Sequence, residues 1–340
     1  MTTNSYNKSG LTRIAAFSVV TVLLASVFAG NVATLSAMAD NGNSTNTNAN
    51  VTNTKSGSNS GTNDKQAARQ TLRSALNQNQ ITYKQAVQQA DLTYNNAIKQ
   101  AQLAHSQAIQ DANTAYNQAV QQVKTAFNDA YKAAKGNATI IGQAMATRDQ
   151  AIATAETTKI NAITSADVIR DKAVHDAWNV HETSVYNALA TRDGADATAQ
   201  FTFYTSIGNS TLATRTQTIG QAHVTADNSI LKARQTRIAA VENADVTKDQ
   251  AIGKAQTDFV TAQSNLKVTL DNSYTKDAKT WNTAIQNYWN AHANLIQTED
   301  NAIAQANAAQ TSAVGSADAA RDQAIEQAYS TMYGSIAAAY

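Results

Sequence analysis

The 340-residue chain contains no cysteine and no proline, and its 26 basic and 25 acidic residues give a formal charge of +1. The lack of cysteine excludes disulfide frameworks, Cys-zinc sites, thiol nucleophiles and anchoring through a lipidated Cys. The lack of proline over such a length points to uninterrupted helix, because proline breaks the hydrogen-bond ladder. A near-neutral surface rich in Gln, Asn and Thr has no footprint for nucleic acid and lacks the basic face that draws a helix to anionic lipid.

Residues 1–39 read as a secretory signal peptide. Lys8 and Arg13 form a positive start, Ile14 to Gly30 is mostly apolar, and Ala37-Met38-Ala39 is a small-residue cleavage site, so cleavage is expected after Ala39. The competing reading is a transmembrane anchor, for which the apolar run is short. Loss of Lys8 and Arg13, with no acid, leaves 24 basic against 25 acidic residues, a charge of −1. Residues 40–63 are Asn, Thr, Ser and Gly with almost nothing apolar, the composition of a disordered linker. Its hydroxyls are also potential carriers of O-linked sugar.

From Leu72 onward, with phase slips after Asn137 and before Glu299, the chain repeats every eleven residues. Tyr83 to Asn137 divides into YKQAVQQADLT, YNNAIKQAQLA, HSQAIQDANTA, YNQAVQQVKTA and FNDAYKAAKGN. Eleven residues make three helical turns plus about 20°. Places 1, 4, 5 and 8 of the unit, holding Tyr/Phe, Ala, Ile/Val and Ala, therefore form one stripe about 100° wide. The amide-rich places lie behind it, and the alternation of a strand is missing.

This pattern predicts an all-α fold: an elongated bundle or coiled coil of three or four long antiparallel helices. The first helix is expected over about 64–135, starting at Asp64 as a good N-cap and stopping at Gly136-Asn137. The second covers about 138–207, with units beginning at Arg148, Lys159, Arg170, His181 and Arg192, and ends at the turn signal Gly208-Asn209. Equal division places the third over about 211–275 and a fourth over 276–340. The phase runs unbroken through 270–281, which favours one very long third helix interrupted only by the isolated Gly220 and Gly253.

The turn at 136–137 sets a register for the first two helices. It places Phe127 opposite Arg148, Tyr116 opposite Lys159, His105 opposite Arg170, Tyr94 opposite His181, and Tyr83 opposite Arg192. Aromatic rings would then meet cations, each contact contributing about 0.5–1 kcal/mol where exposed. The same reasoning at Asn209 sets Arg192 opposite Ala226, His181 opposite Arg237 and Arg170 opposite Lys248, which would require the basic side chains to snorkel outward.

No phosphate-binding loop, dinucleotide fingerprint, nucleophile elbow or EF-hand occurs. His181-Glu182 begins like a zinc-protease motif, but Val185 stands where the second His is needed. His175 and His181 fall on different helix faces. No catalytic, cofactor-binding or metal-ligating set emerges, and no enzymatic activity is expected. The densest aromatic group, Trp281, Tyr288 and Trp289 with His292, is the candidate interaction patch.

The signal peptide, the Asn/Ser/Thr-rich linker and the AxxA(I/V) units together resemble the secreted Ala/Gln/Asn-rich coiled-coil surface proteins of Gram-positive bacteria. The resemblance implies an extracellular structural or adhesive role, with a protein, a cell-wall glycan or a second copy as partner. No LPxTG sorting signal is present, so release or non-covalent retention is expected, without membrane contact after cleavage. The period alone is similar to that of amphipathic eleven-residue repeat proteins that bind lipid surfaces or protect dried cells. That similarity supplies the alternative reading, a membrane-surface or stress-protective helical protein.

Overall fold

The computed structural model describes residues 60–275 and 277–340. The expected signal peptide and most of the expected linker lie outside them. The described residues form four long helices: α1 (Ser60–Ala133), α2 (Ala138–Ser206), α3 (Ser210–Asn272) and α4 (Ala278–Ala338). Among the described residues there is no strand. At 1.5 Å per residue, the 74 residues of α1 span about 110 Å.

The first two turns share one construction. Gly136 and Gly208 adopt φ of 81° and 77°, the left-handed region where a Cβ would be strained. The Asn after each glycine caps the next helix: Asn137 Oδ1 accepts from the Ile140 N–H at 3.3 Å, and Asn209 Oδ1 from the Leu212 N–H at 3.0 Å. The third turn uses different chemistry. The Ser273 hydroxyl donates to the Thr269 and Leu270 carbonyls, closing α3, and Asp277 opens α4 by accepting from the Thr280 N–H at 2.9 Å.

Two expectations are corrected here. A single very long third helix does not form, because the chain stops at Ser273 and reverses. A reversal that happens to preserve the eleven-residue phase leaves no mark on the periodicity. Asp64 does not begin α1, which starts at Ser60, so residues 60–63 belong to the helix and not to the linker. The remaining predicted boundaries fall within a few residues of those observed.

Packing follows chain order. α1 lies on α2, α2 on α3, and α3 on α4, and close backbone approach between other helix pairs is marginal. The two inner helices thus have two packed faces and the two outer helices one. At the contact lines sits the alanine at place 8 of the unit: Ala90, Ala101 and Ala112 in α1, Ala166 and Ala177 in α2, Ala222, Ala233, Ala244 and Ala255 in α3, and Ala306, Ala317 and Ala328 in α4 are all buried. Among the described residues no large side chain is completely enclosed. Stability therefore accumulates from many small burials, each about 0.8 kcal/mol per CH₂-sized group, along the length of the helices.

The α2/α3 contact is the closest. A Cβ built on Gly220 would collide with the Cβ of Ala197, and one on Gly253 with the side chain of Thr164. A Cβ on Gly142 would lie 2.5 Å from the Asp271 carbonyl oxygen. The two glycines that interrupt the α3 pattern are thus places where α2 comes too near for any side chain.

Candidate interaction surface

The rungs expected between α1 and α2 are present. The Arg148 guanidinium lies 4.8 Å from the Phe127 ring centre, Lys159 Nζ 4.6 Å from that of Tyr116, and the Arg192 guanidinium 4.9 Å from that of Tyr83. At the fourth rung His181 packs on Tyr94 with centroids 5.5 Å apart and contacts Asp91 at 2.8 Å. At the fifth, His105 Nε2 is 3.3 Å from Arg170 and 2.7 Å from Asp167. Place 1 of the unit is therefore occupied by helix–helix packing and is not open to a ligand.

The α2/α3 register differs from the expectation in its chemistry. Arg170 does not face Lys248 by snorkelling outward; it turns toward α1 and bonds Asp167 and Asp171 on its own helix. Arg237 does not face His181: it lies 5.0 Å over Trp178 and donates to Asp318 of α4 at 2.5 Å. Arg170 finds its acids within one turn of its own helix and Arg237 finds a ring on α2 and an acid on α4, so these like charges need not meet.

The histidines divide as the helical angle requires. His181 faces α1, whereas His175 is buried toward α3 and contacts Asp245 at 3.0 Å. Asp245 also accepts from Gln310 of α4 at 2.8 Å, so one carboxylate joins three helices. A second buried network escaped the sequence reading: Glu182 accepts from Trp178 Nε1 at 3.2 Å and from Arg234 at 3.1 Å, and Arg234 covers Tyr186 at 5.1 Å. These partners lie 52 residues apart in the chain and share no local motif.

The predicted patch is divided. Tyr288, Trp289 and His292 form one group, with centroids 5.2–5.6 Å apart, and His292 is held from α3 by Gln263 at 2.7 Å and by the Phe259 ring. Trp281 instead packs edge-on against Tyr274 in the preceding turn. Burial, with the carboxylates Asp149 and Asp271 nearby, pushes the Tyr288 phenol up from its ordinary value. Only Trp289 of the four is strongly exposed, at 59%.

Trp289 and Ile296 form one exposed apolar group on α4, and Tyr329 with Tyr333 form a second about 50 Å further along the same helix. On the eleven-residue lattice all four stand at the second or ninth place of the unit, one face of α4 away from the packed Ala306–Ala317–Ala328 line. Tyr329 and Tyr333 stack at 6.5 Å. Helices α3 and α4 border an open groove of about 700 Å³ whose floor is Ala222, Ala226, Ala317, Ala328 and Met332. Its charged lining is the basic Lys232, Arg237 and Arg321, of which Arg237 and Arg321 are engaged by Asp318. Among the described residues no group of three His, Cys, Asp or Glu side chains could hold a metal ion, and no helix is long and apolar enough to cross a membrane. No family model, curated protein or solved structure matches this chain.

Proposed function

We propose that the protein is a non-enzymatic structural and interaction protein of the bacterial cell surface, acting outside the cell through its long helical faces and recognising a cell-wall glycan or a surface protein. The observation that carries this reading is the exposed aromatics at two places on α4, Trp289 and, about 60 Å away, the stacked pair Tyr329 and Tyr333. Such rings offer a large apolar face with a polar tip, the chemistry that stacks on a sugar ring or anchors a protein contact. The extended array supports the same reading, since long helices packed side by side offer a large surface for contact. The expected signal peptide over residues 1–39 supports an extracellular location.

The test is sedimentation of the mature protein with purified cell-wall polysaccharide and with whole cells. Binding that falls at least tenfold in a Trp289→Ala, Tyr329→Ala, Tyr333→Ala triple variant of unchanged helicity is the expected result. Equal retention of the triple variant removes the α4 aromatics from the reading, and no retention of either protein counts against adhesion. A row of Ile81, Leu92 and Leu103 is exposed along α1 at eleven-residue spacing and favours the lipid-surface alternative. That alternative requires anionic vesicles to bind the protein and raise its helix content.

A further inference from the structure

The α2/α3 interface contains a ladder of acid pairs. Asp149 faces Asp271, Asp171 faces Asp249, and Asp193 faces Asp227. The members stand twenty-two residues apart on each helix and run in opposite directions, so a rung recurs at every second unit. On the α2 side each acid is already held by the basic residue before it: Arg148 to Asp149 at 2.5 Å, Arg170 to Asp171 at 2.6 Å, and Arg192 to Asp193 at 2.5 Å.

The α3 acids are treated differently. Asp227 and Asp271 are 9% and 4% exposed and, among the described residues, take part in no ion pair. Each has a buried Oδ2 that accepts no hydrogen bond. Asp249 also carries such an oxygen, but Lys248 lies 3.2 Å from its other one. The two outer rungs therefore set one guanidinium against two carboxylates, whereas at the middle rung the Lys248 ammonium supplies a second cation beside Asp249. A buried unpaired charge costs several kcal/mol, and the simplest neutralising ligand for two facing carboxylates is a proton. No third oxygen ligand completes a metal site there.

We propose that the outer rungs, Asp149/Asp271 and Asp193/Asp227, each hold one proton and act as a clasp that draws α2 and α3 together when the surroundings acidify. At Asp149/Asp271 the protonated α3 carboxyl donates its O–H to the α2 acid, and at Asp193/Asp227 protonation removes the repulsion between the two carboxylates. On acidification each outer rung goes from a net charge of −1 to neutral, and no bond other than this O–H is made or broken. This inference stands independently of the surface-binding reading.

The groups around each rung agree with it. Facing Asp271 are Asp149 and Arg148 from α2, Lys267 on its own helix, and the Tyr288 phenol from α4. Facing Asp227 are Asp193, Arg192 and Tyr186 from α2, with His223 on its own helix and Tyr329 of α4 beyond Tyr186. Burial, reinforced by the opposing aspartate, pushes both Asp227 and Asp271 up to about 6 from an ordinary 3.8. A carboxyl raised in the folded state binds its proton more tightly there than in the unfolded chain. The stability it contributes is thus complete below the unfolded value and is lost as pH rises through about 6.

The experiment is thermal unfolding of the full chain, followed by circular dichroism near pH 5 and pH 7, for the wild type and for Asp227→Asn/Asp271→Asn. The amide imitates the protonated acid at every pH. Between those pH values each outer rung should change the folding equilibrium by about tenfold. Histidines also touch acids elsewhere in the array, so the readout is the difference between wild type and variant. The double variant should melt at pH 7 close to the wild type at pH 5 and lose most of the pH slope; Asp249→Asn, where burial also raises the carboxyl but Lys248 offsets it, should lose less of that slope than the double variant does. A double variant with the full wild-type slope would overturn the proposal. Infrared titration reads the proton directly: a protonated-carboxyl band should disappear through about pH 6 in the wild type and be much weaker in the double variant. Failure to see that band in the wild type overturns the proposal, as does millimolar calcium at pH 7 reproducing the pH 5 stability.

Discussion

The two sides of α2 make the same kind of contact, an antiparallel pairing of eleven-residue units, with opposite chemistry. Toward α1 it presents cations to rings. Arg148, Lys159 and Arg192 cover Phe127, Tyr116 and Tyr83, and the polar ends of these side chains remain at the edge of the array. Toward α3 it presents small residues and acids, with the rings of Trp178 and Tyr186 taking cations from α3, and the backbones close to the point where Gly220 and Gly253 leave no room for a Cβ. The first interface tolerates error, because long side chains adapt. The second does not, because nothing between the helices can yield except the backbone. One repeat can thus build a forgiving seam and a tight one on adjacent faces of a single helix.

The glycines should break this contrast most sharply. Gly220→Leu or Gly253→Leu is expected to cost about 3 kcal/mol, near the top of the usual overpacking range. The same change at Gly315 or Gly334, where an added Cβ meets nothing, should leave stability unchanged or raise it by up to about 1 kcal/mol through helix propensity. Urea unfolding monitored by circular dichroism measures both, and equal losses at all four positions would erase the distinction between tight and open faces.

Next in size is Glu182, which is buried on the tight side. Glu182→Ala strips Arg234 and the Trp178 indole of their acceptor and should cost about 1–3 kcal/mol. Restoration of stability by a further Arg234→Met substitution would show that the loss comes from the orphaned charge and not from the cavity.

The forgiving side should respond weakly and additively. Tyr83→Leu, Tyr116→Leu and Phe127→Leu preserve apolar bulk and remove the ring face, at about 0.5–1 kcal/mol each. Consecutive units lie about 16 Å apart along the axis, beyond the range at which substitutions interfere, so the triple variant should equal the sum of the singles within about 0.5 kcal/mol. A strongly non-additive result would mean that the seam opens cooperatively.

The smallest effect belongs to the outermost face. Ile81→Gln, Leu92→Gln and Leu103→Gln alter side chains that are 48–72% exposed and should change stability by less than about 0.5 kcal/mol each. Sedimentation velocity of this triple variant should match the wild type; a shift to a smaller species would show that α1 is an association edge.

Legibility in the sequence follows the same division. The α1/α2 register could be read directly because every element of it is local or periodic: a Gly-Asn turn, a fixed unit length and a distinctive residue at place 1. The α2/α3 register was approached from the same arithmetic, but its partners were misjudged. The register sets Arg170 and Arg237 opposite cations, whereas Arg170 bonds acids within one turn of its own helix and Arg237 reaches Asp318 of α4. Gly220 and Gly253 looked like defects in a helix, because a glycine required by a neighbouring helix has the same local signature as one tolerated by accident. The exposed α4 aromatics were only touched at Trp289. Tyr329 and Tyr333 follow it by ten turns or more, and exposure is a property of what lies opposite, which periodicity does not report.

By itself, then, the sequence determined that this protein is all-helical, that its helices run long, that they reverse at Gly136-Asn137 and Gly208-Asn209, and that alanine at place 8 lines their contacts. Backbone hydrogen bonding, helix propensity and capping act within a few residues, so these features are written locally. Only the tertiary structure decided that the third helix ends at Ser273, which face of α2 meets which neighbour, where the backbones approach too closely for a side chain, and that acids of α2 and α3 stand face to face. Each of those depends on the position of one helix relative to another, and the free energy that selects it comes from burial and charge shared between residues far apart in the chain.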